Sequence, residues 1–239
     1  LNINNKTSDY LGTGWTTAPL AKENLITVRH QLTMTTGLEY NVPDDNCLTP
    51  ACLTYKTDAG TSWYYYNAPY RLLQNVIANA TSTNYNTYTK IKLADKIGMK
   101  NFTWYNYILW LNSRDMARFG LLTLNKGNWN GNQLMTDQAY FTAMTNTSQN
   151  MNNSYGYLWW LNGKASFMVP GATFVIPGML NPAAPPDMIS ALGKGDKKIY
   201  VIPSKDLVVI RHGDDTGDAV LGPSSFDNAF WTKLMLAIK

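Results

Sequence analysis

Residues 189–213 read ISALGKGDKKIYVIPSKDLVVIRHG, two strand-like runs on either side of a turn. Two runs rich in β-branched and aromatic residues, ISALGKGDKKIYVI and DLVVIRHG, are separated by Pro203 to Asp206, a group of turn-forming residues. The spacing predicts two strands closed into an antiparallel hairpin. Upstream, YGYLWWL at 155–161 has the same strand character, and the Pro- and Gly-rich segment MVPGATFVIPGMLNPAAPPD between them predicts a long ordered loop. Downstream, Ser224 or Ser225 caps a predicted helix running to Ile238, with Phe226, Phe230, Leu234 and Ile238 on its apolar face.

Ahead of residue 150 the period changes to that of helices. Thr27 to Thr36 carries apolar positions at Val28, Leu32 and Met34 and stops at Gly37. Tyr70 to Ala80 puts Leu72, Leu73, Val76 and Ile77 on one face, and Tyr85 to Ile97 repeats the pattern before Gly98. Arg114 to Leu124 is the clearest helix, with Ser113 as its expected N-cap and Asp115 where the helix dipole favours an anion. NKGNWNGNQL then reads as a turn-rich connection, and Asp137 to Met144 as a short helix. The expected class is α/β (α+β), with a helical region at 1–150 and sheet strands plus a C-terminal helix at 151–239, folded as one unit.

Composition narrows the function. With 45% apolar and 15% charged residues, the 239-residue chain can bury a sizeable core. Its net charge of +4 comes from 20 basic and 16 acidic side chains that are scattered, which argues against nucleic acid as a partner. No apolar run approaches the roughly 18 residues of a transmembrane segment. Cys47 and Cys52, in the loop-like VPDDNCLTPAC, are too few for a zinc site and are expected to form a local disulfide, which would imply a periplasmic or secreted protein. No metal or cofactor is expected. His30 and His212 are read as structural, with no local support for a Ser-His-Asp triad.

Four landmarks in one order point further. ITVRHQLTMTTGL at 26–38, WYYYNAPYRLL at 63–73, DMARFGLL at 115–122 and ALGKGDKKIYVIPSKDLVVIRHG at 191–213 resemble, in sequence order, recurrent segments of the serine β-lactamase and penicillin-binding-protein superfamily, which includes class C β-lactamases, D-Ala-D-Ala carboxypeptidases and related esterases. The resemblance implies a β-lactamase/transpeptidase-like fold, a helical region on an antiparallel sheet. It also implies hydrolysis of an ester, amide or β-lactam/D-Ala peptide through an acyl-serine. Tyr65 would complete a Ser-Lys-Tyr proton relay, and Asn67 would hydrogen-bond the lysine or the substrate amide. Ala191, Leu192 and Gly193 stand at the family's third motif, and the Lys194 N–H would form half of the oxyanion hole.

Each role has a structural alternative in the residues themselves. Tyr65 lies among three tyrosines of which one or more belongs in a core, Asn67 can cap a helix that begins near Pro69, and Lys194 can face solvent beside Asp196. Ala191 departs from the family, because no cation stands there to hold a substrate carboxylate. The larger departure is that none of the eleven serines is followed by lysine three residues later. The nucleophile helix and first strands are therefore expected to precede Leu1, as a segment of the same parent that would partner this chain. Alone, the chain would be inactive. A non-catalytic module that binds peptidoglycan-type peptides is the alternative.

Overall fold

The computed structural model describes residues 1–216 and 222–238. They form two compact units, Leu1–Lys90 with Trp104–Ile108, and Ile91–Thr103 with Leu109–Lys239.

The first unit is built from short helices: α1 (Val28–Leu32), α2 (Asn67–Arg71), α3 (Leu73–Thr81) and α4 (Tyr85–Thr89). They surround a core of Trp15, Ile26, Leu38, Leu53, Tyr66, Ala68 and Leu72. Glu23, only 1% exposed, ties the N-terminal loop together by accepting from the backbone of Gly14 and Thr16 at 2.9 Å each and from Thr16 Oγ1 at 2.7 Å.

Local chemistry shortens the expected helices. Thr27 and His30 form a reciprocal capping box at the start of α1, which ends at Leu32 because Met34 takes φ +61°. Gly37 (φ +74°) then passes so close to the next segment that a Cβ there would lie 2.3 Å from the Thr57 carbonyl oxygen. The helix expected at Tyr70 starts earlier, at Asn67, with Pro69 in its first turn where a missing N–H costs nothing. The one expected from Tyr85 divides into α4, a π-helical stretch Lys90–Ala94 and a last turn Asp95–Ile97 closed by Gly98 at φ +73°.

A hairpin that the helical reading did not anticipate follows, β1 (Phe102–Tyr105) and β2 (Ile108–Leu111). Its residues alternate between half-buried and exposed, and Asn106 (φ +47°) and Tyr107 (φ +62°) form the two-residue turn. Positive φ at both central residues is the requirement of a type I′ loop.

The second unit carries α5 (Ser113–Leu124), strands β3 (Trp160–Leu161), β4 (Ile189–Leu192), β5 (Lys198–Ile202) and β6 (Leu207–Arg211), and α6 (Ser225–Leu234). The sheet is antiparallel in the order β6-β5-β4-β3, with Val201 opposite both Val208 and Ile189. Residues 203–206 form the expected turn between β5 and β6. The run expected as a single strand at 189–202 instead folds on itself at 193–197, where Gly195 and Asp196 take φ of +65° and +55°. Of the 155–161 run only Trp160 and Leu161 join the sheet, because Leu158 turns the chain at φ +60°. Ile176–Pro177 of the Pro-rich loop pair with Ser166–Phe167, just ahead of it.

Helix α5 packs on the sheet through Met116 and Phe119 against Trp159, Leu161, Ile199 and Val208. Asn112, one residue before the expected cap, accepts from Asp115 N–H at 2.8 Å. Helix α6 is anchored by the Ser224–Asp227 capping box and by Trp231, fully buried and edge-on to Tyr200 at 5.4 Å. Helices on an antiparallel sheet are the architecture expected from the sequence. No helix among the described residues is long and apolar enough to cross a membrane.

Candidate active site

The stretch leading into α2 divides the tyrosine triplet among different environments. Trp63 and Tyr66 point into the core, each 3% exposed, and Tyr66 donates to the Cys52 carbonyl at 3.3 Å. Tyr64 stacks on Tyr40 with ring centroids 3.4 Å apart, and Lys56 Nζ sits 3.9 Å above the Tyr40 ring. Tyr65, the residue singled out for the relay, packs its half-buried ring edge-on to Tyr70 at 6.0 Å, and the two hydroxyls are hydrogen-bonded. Burial pushes the Tyr65 phenol well above its usual range, and Tyr70 and the Asp45 carboxylate push it the same way. A phenol in that setting takes a proton from a serine only when a cation close by stabilises the phenolate.

Asn67 is not a cap. It is the first residue of α2, the capping position belongs to Tyr66, and no side chain caps that end. The Asn67 side chain is buried, and Nδ2 donates to Asp45 Oδ2 at 2.8 Å and to Asn46 Oδ1 at 3.3 Å. These bonds fix the orientation of the amide and leave its Oδ1 buried with no hydrogen-bond partner. An acceptor left so costs about 1–3 kcal/mol.

The residues that hold Asn67 were not foreseen. Asp45 and Asn46 immediately precede the Cys47–Cys52 disulfide, whose Cα atoms lie 5.9 Å apart and which closes the loop as expected. Asn46 Oδ1 also accepts from Arg71 Nη1 at 2.7 Å, so the disulfide loop and helix α2 are joined through one polar cluster. The signal in the sequence was the DDNC run, two acids and an amide abutting a cysteine.

In the second unit, Ala191 lies on β4 opposite Ile199 and packs in the apolar cluster under α5. Gly193 follows β4 with an ordinary φ of −94°, and its N–H donates to the Lys197 carbonyl at 2.8 Å to close the turn into β5. A Cβ at Gly193 would meet that carbonyl at 3.1 Å, so hairpin closure already disfavours a side chain there. Lys194 is exposed in the turn that follows. The structure therefore brings Tyr65 with Asn67 in one unit and Ala191, Gly193 and Lys194 together at a hairpin of the other.

The two histidines are engaged locally. His30 Nδ1 accepts from Thr27 N–H at 3.1 Å, and burial, with Arg29 adding to it, lowers its pKa. His212 Nδ1 lies 3.0 Å from Ser113 Oγ at an exposed position. In a Ser-His-Asp triad the serine meets Nε2 and the carboxylate meets Nδ1, so this pairing is the wrong way round for one. Among the described residues no cluster of three or more His, Cys, Asp or Glu is arranged to hold a metal ion.

A family model described as beta-lactamase matches residues 1–109. No curated protein matches the chain in sequence. Among solved structures, the chain is similar over its full length to a protein assigned as a 6-aminohexanoate-dimer hydrolase from Bacillus anthracis, at 17% identity and a TM-score of 0.68, covering 66% of that chain. It is also similar to a class C beta-lactamase, at 15% identity and a TM-score of 0.68, covering 76%. A penicillin-binding protein homolog from Caulobacter crescentus gives 12% identity and a TM-score of 0.66, covering 77%. The chain thus spans about two thirds to three quarters of the length of these structures. Residues 1–109 thus match the beta-lactamase family, and the whole chain shares the fold of β-lactamase and penicillin-binding-protein-like structures.

Proposed function

We propose that residues 1–239 are the relay-bearing part of a serine hydrolase that works through an acyl-serine intermediate, its Ser-x-x-Lys pair supplied by polypeptide outside these residues. The reading rests on the buried, unpartnered Oδ1 of Asn67, two residues from an enclosed Tyr65 phenol. A lysine ammonium seated there donates to Asn67 Oδ1 and, by its charge, lowers the Tyr65 pKa toward a working range. The serine oxygen then attacks the acyl carbon, its proton passes through the Lys-Tyr pair to the leaving group, and water later releases the acyl group.

An ester or amide is favoured over a substrate anchored by a carboxylate, because Ala191 offers no cation at the third motif. The Cys47–Cys52 disulfide supports a periplasmic or secreted site of action. The substrate is then a small molecule or peptide.

The test is to express the longest reading frame that contains these residues and label it with a serine-directed phosphonate and a fluorescent penicillin. Covalent labelling by either, mapped to the serine of an S-x-x-K segment, is the expected result. A folded protein whose reading frame encodes no such segment and which takes no label would instead be a binding module for peptidoglycan-type peptides.

A further inference from the structure

Helix α3, the start of α4 and the tip of the β1–β2 hairpin line an open cleft of about 310 Å³ in the first unit. Its wall consists of five carboxamide side chains, three aromatic rings and one alanine, and none of these nine residues is acidic or basic. Tyr85, one of the three rings, has its pKa pushed up to about 12 by burial and so stays neutral.

The wall is held rigid from behind. Arg71 Nη2 donates to the Asn106 carbonyl at 2.6 Å and stacks its guanidinium 5.1 Å from the Tyr107 ring, and Gln74 Nε2 donates to the Tyr107 carbonyl at 3.1 Å. Asn86 exchanges two bonds with the Trp104 backbone, at 2.7 and 2.8 Å. Against this pinned frame, the side-chain amides of half-buried Asn75 and exposed Asn106 make no hydrogen bond within the described residues and face the cleft's opening to solvent or ligand.

The turn itself carries a second indication. Position 107 holds a tyrosine at φ +62°, a conformation that glycine takes freely and an aromatic residue takes at a cost. The type I′ turn sets that φ, and the ring that stands there instead of glycine adds an aromatic face to the cleft wall.

We propose that this cleft binds a neutral saccharide, with a sugar ring laid against the aromatic wall and its hydroxyls bonded to the Asn75 and Asn106 amides. A carboxamide donates and accepts at once, as a hydroxyl does. Aromatic faces suit the C–H faces of a pyranose, whereas a wall without charge gives an ionised ligand nothing to pair with. The volume is at the small end of the roughly 300–1,000 Å³ of ligand pockets, which suits one sugar ring of a longer chain. This site is independent of the hydrolase reading.

The experiment titrates the folded 239-residue chain with chitotetraose, cellotetraose and maltotetraose, and with tetra-alanine as a control. It follows tryptophan fluorescence and the backbone amide resonances of residues 104–107. At least one oligosaccharide is expected to bind in the millimolar range and shift these resonances, with tetra-alanine silent. Asn75→Ala keeps a good helix former in α3, and Tyr107→Gly suits the positive φ of the turn, so both variants should stay folded while weakening binding by about tenfold or more. Absence of saturable shifts with all three sugars up to their solubility, equal binding by both folded variants, or binding of tetra-alanine at the same resonances would overturn the proposal.

Discussion

At the scale of single residues, the second unit stakes most on one buried cation. Lys198 Nζ lies 2.7 Å from Asp227 Oδ2 and 3.0 Å from Asp196 Oδ1, and donates to Ser224 Oγ at 3.1 Å, with its side chain fully buried. Removing one partner of such a cluster leaves uncompensated charge, so Lys198→Met should cost roughly 3–5 kcal/mol, read from urea unfolding of the purified chain. For Asp196, burial alone would raise the pKa, but hydrogen bonds from Ser224, Thr216 and Lys198 outweigh it and hold the carboxyl well below its usual range. A group whose pKa is depressed on folding contributes stability above its unfolded pKa, about 4, and loses it as pH falls toward the folded value. Stability measured from pH 6 downward should therefore erode below about pH 4, and Asp196→Asn should flatten that part of the curve. Glu23 plays the equivalent part in the first unit. Glu23→Ala strands the donors of Gly14 and Thr16 and should cost about 2–3 kcal/mol.

At the scale of elements, Gly120 shows why helix propensity is a poor guide to α5. An alanine there would favour an isolated helix by about 1 kcal/mol, yet a Cβ at this position would lie 2.5 Å from Val208 Cγ1 and 3.2 Å from Ile199 Cγ2. Gly120→Ala should consequently lower stability by about 1–3 kcal/mol, which differential scanning calorimetry will register as a lower Tm. The apolar face of α5 and the Pro203–Asp206 turn were legible in the sequence because period and turn chemistry agree there. The β1–β2 hairpin was not, since its turn is Asn-Tyr instead of Asn-Gly and its aromatic alternation is only four residues long on each side. The fold-back at 193–197 was hidden for a related reason: the tight turn requires positive φ at Gly195 and Asp196, and the lysines around them look like an exposed strand face. The disulfide loop was legible from cysteine spacing alone. Its loss in Cys47→Ser/Cys52→Ser should cost about 2 kcal/mol by the closure entropy of so short a loop. The same change should loosen Asp45 and Asn46 from Asn67, seen as broadened amide signals at all three residues.

At the scale of the whole molecule, the order of the four sequence landmarks pointed to a β-lactamase-like fold, the family match covers residues 1–109, and fold similarity spans the full chain at 12–17% identity in the structures compared above. At such identity the core is preserved by pattern, and individual residues are free to change. That is why the helices-on-sheet architecture could be read while Asp45, Asn46 and Arg71, which reach Asn67 only through folding, could not. Among the described residues strand β6 is the outermost on one side of the four-stranded sheet, and an open edge is a template for pairing. The 239-residue chain alone is expected to self-associate in light scattering, and a strictly monomeric chain at high concentration would show that edge to be protected. The relay role proposed for Tyr65 is tested by the rate of phosphonate acylation of the longest expressed protein, wild type against Tyr65→Phe, with circular dichroism confirming equal folding. Loss of the phenol should slow acylation by about 10²-fold or more at a serine outside residues 1–239. An unchanged rate, or label on one of the eleven serines of this chain, would contradict the account.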